Sequence, residues 1–291
     1  MVDKTRTRRT RAELEQLSDQ IIEALEQDHP MAIRHVFYLM TNPRLPASVP
    51  KTDNGTPNGY KIIQYHMTRM RRQGLIPYGW ITDATRRGHH VYTYNGHKDF
   101  IRQVAGLYRA NLWEFSDHYV EVWCESRSIA GIIEADCREL AVSLYPAGGF
   151  SSITLAYQAA VQISEVARLR QVPAEIIYIG DYDPAGVLID HSIEKELRRH
   201  IDADVDLNFH RIAITPEQIE EFDLPTKPRK AKDKRSKQVK ETVEAEAMPP
   251  NILRRILREK VESFLPPGAL EVAKVAEAFE QRTILELAGV A

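Results

Sequence analysis

The sequence predicts an α+β region followed by an α/β region with a parallel sheet and C-terminal helices. Three helical patterns near the start of the chain, followed by two short β-like stretches, indicate the first region. Farther on, apolar strands alternate with amphipathic helices, as in parallel α/β sheets. We therefore predict two domains, residues 1–115 and 116–291.

The first region begins with three predicted helices. Thr10 and Glu13 have the spacing of a capping box, which marks a helix start. Behind them, apolar residues recur at helical intervals at Leu14, Leu17, Ile21 and Leu25. The stretch MAIRHVFYLM (31–40) predicts a short second helix, and residues 59–73 predict a third. The third helix places its apolar side chains on one face: Ile63, Met67 and Met70.

Two β-like stretches, LIPYGWIT (75–82) and HVYTY (90–94), follow the helices and flank a basic turn. Three helices and a β-wing are typical of a winged helix-turn-helix, a module that docks on DNA. Any small α+β domain is the alternative. The basic side chains that we expect to contact the DNA backbone are Lys61, Arg69, Arg71, Arg72, Arg86 and Arg87.

The net charge of −2 conceals an uneven distribution. Residues 1–120 hold 17 Lys and Arg against 12 Asp and Glu, and residues 41–109 hold 11 against 3. Such asymmetry favours contact between the first region and an anionic polymer such as double-stranded DNA. A solvated basic surface is the alternative.

Several classes of protein are disfavoured by composition. No apolar run is long enough for a membrane-spanning helix, and the basic N-terminus lacks the apolar stretch of a secretory signal. Cys124 and Cys137 are the two cysteines, without a CxxC pattern, and we expect buried thiols. We therefore expect a cytoplasmic, DNA-associated protein without a membrane partner.

The second region predicts strands at 118–124, 175–180 and 208–214. Residues 224–240 carry eight basic side chains and one acidic one, and are predicted to be a solvated linker, with phosphate contact as the alternative. The helices expected around these segments cover 126–140, 152–169, 184–200, a short stretch from 216, 250–264 and 269–288.

Three carboxylates follow the predicted strands. Glu125 comes after the first strand, and Asp181 and Asp183 come after the strand EIIYIG. Because the carboxyl ends of parallel strands meet at one edge of a sheet, we expect these side chains to converge. Clustered carboxylates repel one another unless a cation neutralises them, and their hard oxygens suit Mg²⁺. For the Asp-Tyr-Asp-Pro segment alone, an ordinary turn with a helix cap is the alternative.

These motifs resemble the Toprim domain of topoisomerases, primases and related nucleases. VEVWCES is similar to the glutamate motif of that domain, and YIGDYDPAG to its Asp-x-Asp motif. The resemblance implies that Glu125, Asp181 and Asp183 hold Mg²⁺ for cleavage and rejoining of DNA strands.

A second resemblance concerns the predicted second helix. Residues 33–38, Ile-Arg-His-Val-Phe-Tyr, resemble the Arg-x-[Ile/Val]-[Phe/Tyr]-Tyr motif of the DNA topoisomerase VI A subunit and the meiotic double-strand-break transesterase. The order of winged helix before Toprim is also similar. The resemblance implies a reduced homologue in which Tyr38 attacks DNA and becomes linked to a 5′ phosphate. It also implies a homodimer in which Tyr38 of one subunit serves the Mg²⁺ site of the other.

The residues around Tyr38 suit this chemistry. A tyrosine hydroxyl has a pKa of about 10 and needs assistance as a nucleophile. Arg34 and His35 precede Tyr38 by one helical turn, so all three are expected on one face. We expect Arg34 to hold the phosphate or stabilise the phenolate, and His35 to accept the proton. Phe37 is assigned to packing, while Tyr38 is expected to face a groove.

The chain has no GxxxxGK[ST] motif, so ATP-driven strand passage would need a separate B-like ATPase subunit. Without one, the protein would only bind and cleave DNA. Two other functions stay open: a hydrolytic Mg²⁺-dependent Toprim nuclease in which Tyr38 merely packs, and a duplex-DNA-binding protein that does not cleave.

Overall fold

The computed structural model describes residues 9–52, 58–82, 91–148, 153–184, 186–228 and 241–289. Within these ranges the chain forms ten α-helices, a four-stranded parallel sheet and a two-stranded antiparallel ribbon. The predicted α/β architecture with a parallel sheet is therefore confirmed. Among the described helices, none is both long enough and apolar enough to cross a bilayer.

Three of the four helices before the sheet were predicted. Thr10 caps the first of them, accepting from the Glu13 amide at 3.2 Å, while the Glu13 carboxylate accepts from the Thr10 amide at 2.7 Å. The predicted apolar faces are buried, because Ile21 and Met67 are completely enclosed. The four helices are α1 (Arg11–Gln27), α2 (Ile33–Met40), α3 (Gly59–Arg72) and α4 (His97–Val104).

The strands predicted for the β-wing are wrong within the described residues. The first stretch forms a 3₁₀ turn at Tyr78–Trp80, and Ile81 makes an isolated parallel bridge with Met31 instead of a hairpin. Residues 91–94, from the second stretch, form no strand and are largely exposed. Arg86 and Arg87 lie outside the described residues.

The sheet has the strand order β2-β1-β3-β4, and every neighbouring pair is parallel. The second strand and α4 were not predicted from the sequence. The sheet consists of β1 (Tyr119–Cys124), β2 (Ser143–Pro146), β3 (Ala174–Ile179) and β4 (Leu207–Ala213). The helices around it are α5 (Arg127–Glu139), α6 (Ile153–Arg170), α7 (Gly186–His200), α8 (Pro216–Glu221), α9 (Pro250–Glu262) and α10 (Ala269–Leu287). The ribbon consists of β5 (Lys227–Pro228) and β6 (Glu241–Thr242).

Both faces of the sheet are covered, as a parallel sheet requires. Val122 and Cys124 of β1 point into a core that also contains Leu17 and Val36 from the N-terminal helices. Trp123 points the other way, into a second core. Because the first core is continuous, the N-terminal helices are held directly against the sheet. Both cysteines are buried free thiols, as expected.

Candidate functional site

Two of the three predicted carboxylates meet at the carboxyl edge of the sheet. Glu125 follows β1 and Asp181 follows β3, and these strands are direct neighbours in the sheet. The Asp181 amide donates to the Glu125 Oε2 at 2.9 Å. The convergence expected from the alignment of parallel strands is therefore present for this pair.

The third carboxylate caps a helix. Asp183 Oδ1 accepts from the Gly186 amide at 2.5 Å at the start of α7. A side chain at Gly186 would put its Cβ 2.2 Å from the Asp181 carbonyl oxygen, so glycine is required for this close approach. The cap and the metal-ligand prediction are compatible, because capping uses one of the two carboxylate oxygens.

The edge is electrostatically unfavourable for negative charge. Burial, together with the charges of Glu125 and Glu246, raises the pKa of Asp181 well above its usual range. Burial also raises the pKa of Glu125, assisted by Asp183 and Glu246, although the Asp181 amide and Arg211 act in the opposite direction. A bound cation would relieve this repulsion.

Two further carboxylates at this edge were missed from the sequence. The 243–246 segment lies along the end of β3, where Val243 and Tyr182 exchange backbone hydrogen bonds at 2.8 Å. The Ala245 amide donates to Asp181 Oδ1 at 2.8 Å, which brings Glu244 and Glu246 close to the edge. The spacing Glu-x-Glu, equal to that of Asp181 and Asp183, was the available signal, but no strand or helix pattern located it.

Glu246 is buried and accepts hydroxyl hydrogen bonds from the start of α5. Ser126 Oγ donates to it at 3.1 Å, and Ser128 Oγ makes a shorter contact. Arg211 fixes the backbone nearby, since its Nη2 donates to the carbonyl oxygens of Gly180 and Asp181 at 3.1 and 2.5 Å. Ser126, Ser128 and Arg211 therefore hold the chain at this edge in place, and they are not added to the predicted metal ligands.

The donor chemistry of the edge fits Mg²⁺, because its oxygens are hard and its carboxylates repel one another. As the side chains stand, the described residues contain no group of three acidic, His or Cys side chains arranged to hold a metal ion. Glu125, Asp181 and Asp183 each give one oxygen to a backbone amide at the edge. Binding of a metal by all three carboxylates would therefore require a rearrangement of their side chains.

Tyr38 is buried, and the expectation that it faces a groove is wrong. Its side chain lies in the core with Phe37, their ring centroids 5.0 Å apart, and only 4% of it is exposed. The hydroxyl lies close enough to the Glu244 carboxylate for the charge of Glu244 to affect it. Burial and then the charge of Glu244 raise the pKa of Tyr38, so the hydroxyl is protonated in this arrangement.

Arg34 lies on the same side of α2 as Tyr38, as predicted. Its Nη1 donates to Glu244 Oε2 at 2.6 Å, and its guanidinium lies 4.9 Å from the centroid of the Tyr60 ring. Burial opposes the charge of Arg34, but the carboxylates of Glu244 and Glu246 outweigh it and raise the pKa. Arg34 is thus a fixed cation beside the predicted nucleophile.

His35 does not have the geometry of a general base. Neither ring nitrogen has a hydrogen-bond partner among the described residues, and the side chain is 1% exposed. Burial and the nearby charge of Arg254 lower its pKa to about 3. The structure gives His35 no contact through which to take the proton of Tyr38.

The basic residues of α3 divide into two groups. Lys61, Arg69 and Arg72 are exposed, as a DNA-contacting surface requires. Arg71 is half-buried, and its guanidinium lies 4.5 Å from the centroid of the Tyr78 ring. Arg71 therefore has a packing role in the absence of DNA.

Comparison of this chain with protein-family models, curated proteins and solved structures finds no match.

Proposed function

We propose that this protein is a Mg²⁺-dependent, DNA-cleaving tyrosine transesterase of the type IIB topoisomerase A-subunit kind, with a winged-helix domain before a Toprim domain. One observation carries the proposal. The 243–246 segment contacts Asp181 through Ala245 and lies beside Tyr38 through Glu244. The predicted nucleophile and the predicted acidic edge, which are distant in sequence, thus lie on either side of one short segment.

The fold supports each domain assignment to a different degree. A parallel sheet with Glu125 and Asp181 at the ends of adjacent strands supports the Toprim assignment. The three helices α1–α3 support the winged-helix assignment, while the described residues after α3 supply no β-wing. Exposed Lys61, Arg69 and Arg72 on α3 support contact with duplex DNA.

The proposed reaction is a reversible transesterification. The Tyr38 oxygen attacks phosphorus and forms a phosphotyrosyl bond to the 5′ side of the break. The bond from phosphorus to the 3′ oxygen breaks, and the phenolic proton is transferred in net terms to the leaving 3′ oxygen. Mg²⁺ held by Glu125, Asp181 and Asp183 would polarise the phosphate and stabilise the leaving oxygen. Arg34 would neutralise charge on the phosphate.

Two such sites in a homodimer would break both strands. Tyr38 and Asp181 of one chain lie near the same 243–246 segment, which supports an active site close to this segment. Exchange of Tyr38 between subunits, and a separate B-like ATPase subunit, remain predictions.

The decisive test is covalent capture of DNA. We expect the protein, incubated with duplex DNA and Mg²⁺ and then denatured, to be attached to 5′ ends, and Tyr38→Phe to abolish the adduct completely. Tyr157→Phe is the matched control, because Tyr157 is 53% exposed on α6, away from the proposed DNA surface, and its change should leave the adduct yield unaltered. Adduct that persists in Tyr38→Phe would exclude Tyr38 as the nucleophile.

A hydrolytic Mg²⁺-dependent nuclease is the second candidate, favoured by the burial of Tyr38 and the raised pKa of its hydroxyl. This function predicts that DNA is cleaved without a covalent adduct and that the cleavage rate is unchanged in Tyr38→Phe. If no variant cleaves while salt-sensitive binding is retained, the protein is a non-cleaving DNA-binding protein.

Contact between α3 and DNA is tested with Arg69→Ala/Arg72→Ala. We expect the double variant to bind duplex DNA about tenfold more weakly, whatever the DNA sequence. The slope of log affinity against log salt concentration should fall by the amount that corresponds to about two phosphate contacts. Arg138→Ala/Arg255→Ala, which removes two exposed arginines on α5 and α9, is the control for lost charge. Equal affinities of the double variant and the control, measured by fluorescence anisotropy at several salt concentrations, would remove α3 from the interface.

A further inference from the structure

The Glu244 carboxylate is held by two cations from distant parts of the chain. Arg34 Nη1 donates to its Oε2 at 2.6 Å, and Lys227 Nζ donates to its Oε1 at 3.1 Å. The side chains of Arg34, Glu244 and Lys227 are 30%, 27% and 22% exposed, so this group is accessible from the surface. Lys51 Nζ holds the carbonyl oxygen of Thr226 and so fixes the backbone next to Lys227.

This arrangement matches what a phosphodiester needs. A phosphodiester, like a carboxylate, carries one negative charge shared by two oxygens, and each oxygen here meets a separate cation. Arg and Lys are the side chains that most often bind phosphate. Lys227 Nζ lies 5.5 Å from the centroid of the Tyr38 ring, and Glu244 lies near the Tyr38 hydroxyl. A phosphate in place of the carboxylate would therefore lie beside that hydroxyl.

The same segment also covers the acidic edge. Val243 is hydrogen-bonded to Tyr182, and the Ala245 amide occupies Asp181 Oδ1. Withdrawal of Glu244 from its two cations would loosen the segment from Asp181 as well. One movement would thus open the anion site and release an oxygen of the predicted metal ligand.

We propose that Arg34 and Lys227 form the binding site for the DNA phosphodiester that is cut, and that Glu244 fills this site in the free protein. The inference rests on the proposed function, since it assigns the substrate contact and its regulation at the same site. Glu244 acts as an intramolecular competitor that DNA must displace. Lys227 is the phosphate-binding residue, in line with the phosphate contact left open for the basic segment 224–240.

Binding of a short labelled duplex, in the absence of Mg²⁺, tests the competitor. We expect Glu244→Gln to bind about tenfold more tightly than Glu241→Gln, because the glutamine cannot compete with phosphate for the two cations. Glu241 is the matched control: it is exposed on β6, in the same stretch of chain, and its replacement removes the same charge. Glu244→Asp keeps the charge with a shorter reach and should give an intermediate gain, which covers the case in which Glu244→Gln does not fold.

The role of Lys227 is tested in the same assay. Lys227→Gln should weaken binding about tenfold in the Glu244→Gln background, and less in the otherwise unaltered protein, where Glu244 already occupies the lysine. Equal affinities of the Glu244 and Glu241 variants, or no effect of Lys227→Gln in the Glu244→Gln background, would overturn the inference. These results are independent of cleavage. If the unaltered protein forms the adduct but the Glu244 and Glu241 variants bind DNA equally, the proposed transesterase activity stands and the phosphate site does not. If Glu244→Gln binds more tightly but no adduct forms, the phosphate site stands and the transesterase activity does not.

Discussion

Asp181→Asn is expected to stabilise the metal-free protein, so that its Tm rises by a few degrees. The pKa of Asp181 in the folded protein is raised well above its ordinary value of 3.8 by burial and by the charge of Glu125. The folded state therefore binds more protons than the unfolded state above that value, and stability falls as pH rises through the raised pKa. Asparagine removes this loss and keeps Oδ1 as an acceptor for the Ala245 amide.

The same substitution should remove the response to Mg²⁺. If Asp181 is a ligand, Mg²⁺ at about a hundred times its Kd stabilises the unaltered protein by about 2.7 kcal/mol and the variant by far less. DNA cleavage by the variant should be lost as well. Thermal melts at pH 7.5 with and without Mg²⁺ measure both effects, with Glu165→Gln, an exposed carboxylate on α6, as the control for lost charge. Equal stabilisation of Asp181→Asn and the control by Mg²⁺ would exclude Asp181 as a ligand.

The acidic edge shows which features the sequence could predict. The positions of Glu125 and Asp181 directly after predicted parallel strands were enough to predict that they meet, because parallel strands align their carboxyl ends. Glu244 and Glu246 follow the basic linker and belong to no long strand or helix, so only tertiary contacts with Tyr182 and Asp181 bring them to the edge. Periodicity carries no information about such contacts.

The environment of α2 shows that the sequence could not predict which side chains are exposed. Helical spacing correctly put Arg34 and Tyr38 on one side, yet it could not show that the 243–246 segment covers that side. The prediction of two β-wing strands was wrong for a related reason. LIPYGWIT has the composition of a strand, but Tyr78–Trp80 turns, and Ile81 pairs with Met31 instead of a hairpin partner. Tertiary pairing overrode local β-propensity.

His35→Leu is expected to flatten the loss of stability in acid. The His35 side chain is completely enclosed in the folded protein, and burial together with Arg254 lowers its pKa from 6.5 to about 3. Between these pH values the unfolded state binds a proton that the folded state does not, so stability falls as pH drops through this window. The loss due to His35 has an upper bound of about 5 kcal/mol, and it is absent above the unfolded pKa.

Urea unfolding at pH 7.5, 5.5 and 4.5 measures this effect as the change in the free-energy difference between His35→Leu and the unaltered protein. Because the acidic groups are common to both chains, their contributions cancel in that difference. His97→Gln, at an exposed position on α4, controls for the loss of an imidazole and should follow the unaltered protein at every pH. If the His35→Leu curve instead runs parallel to that of the unaltered protein down to pH 4.5, then the folded protein accommodates a protonated His35. The imidazole would then be accessible to protons beside Tyr38, and a role in proton transfer would regain support.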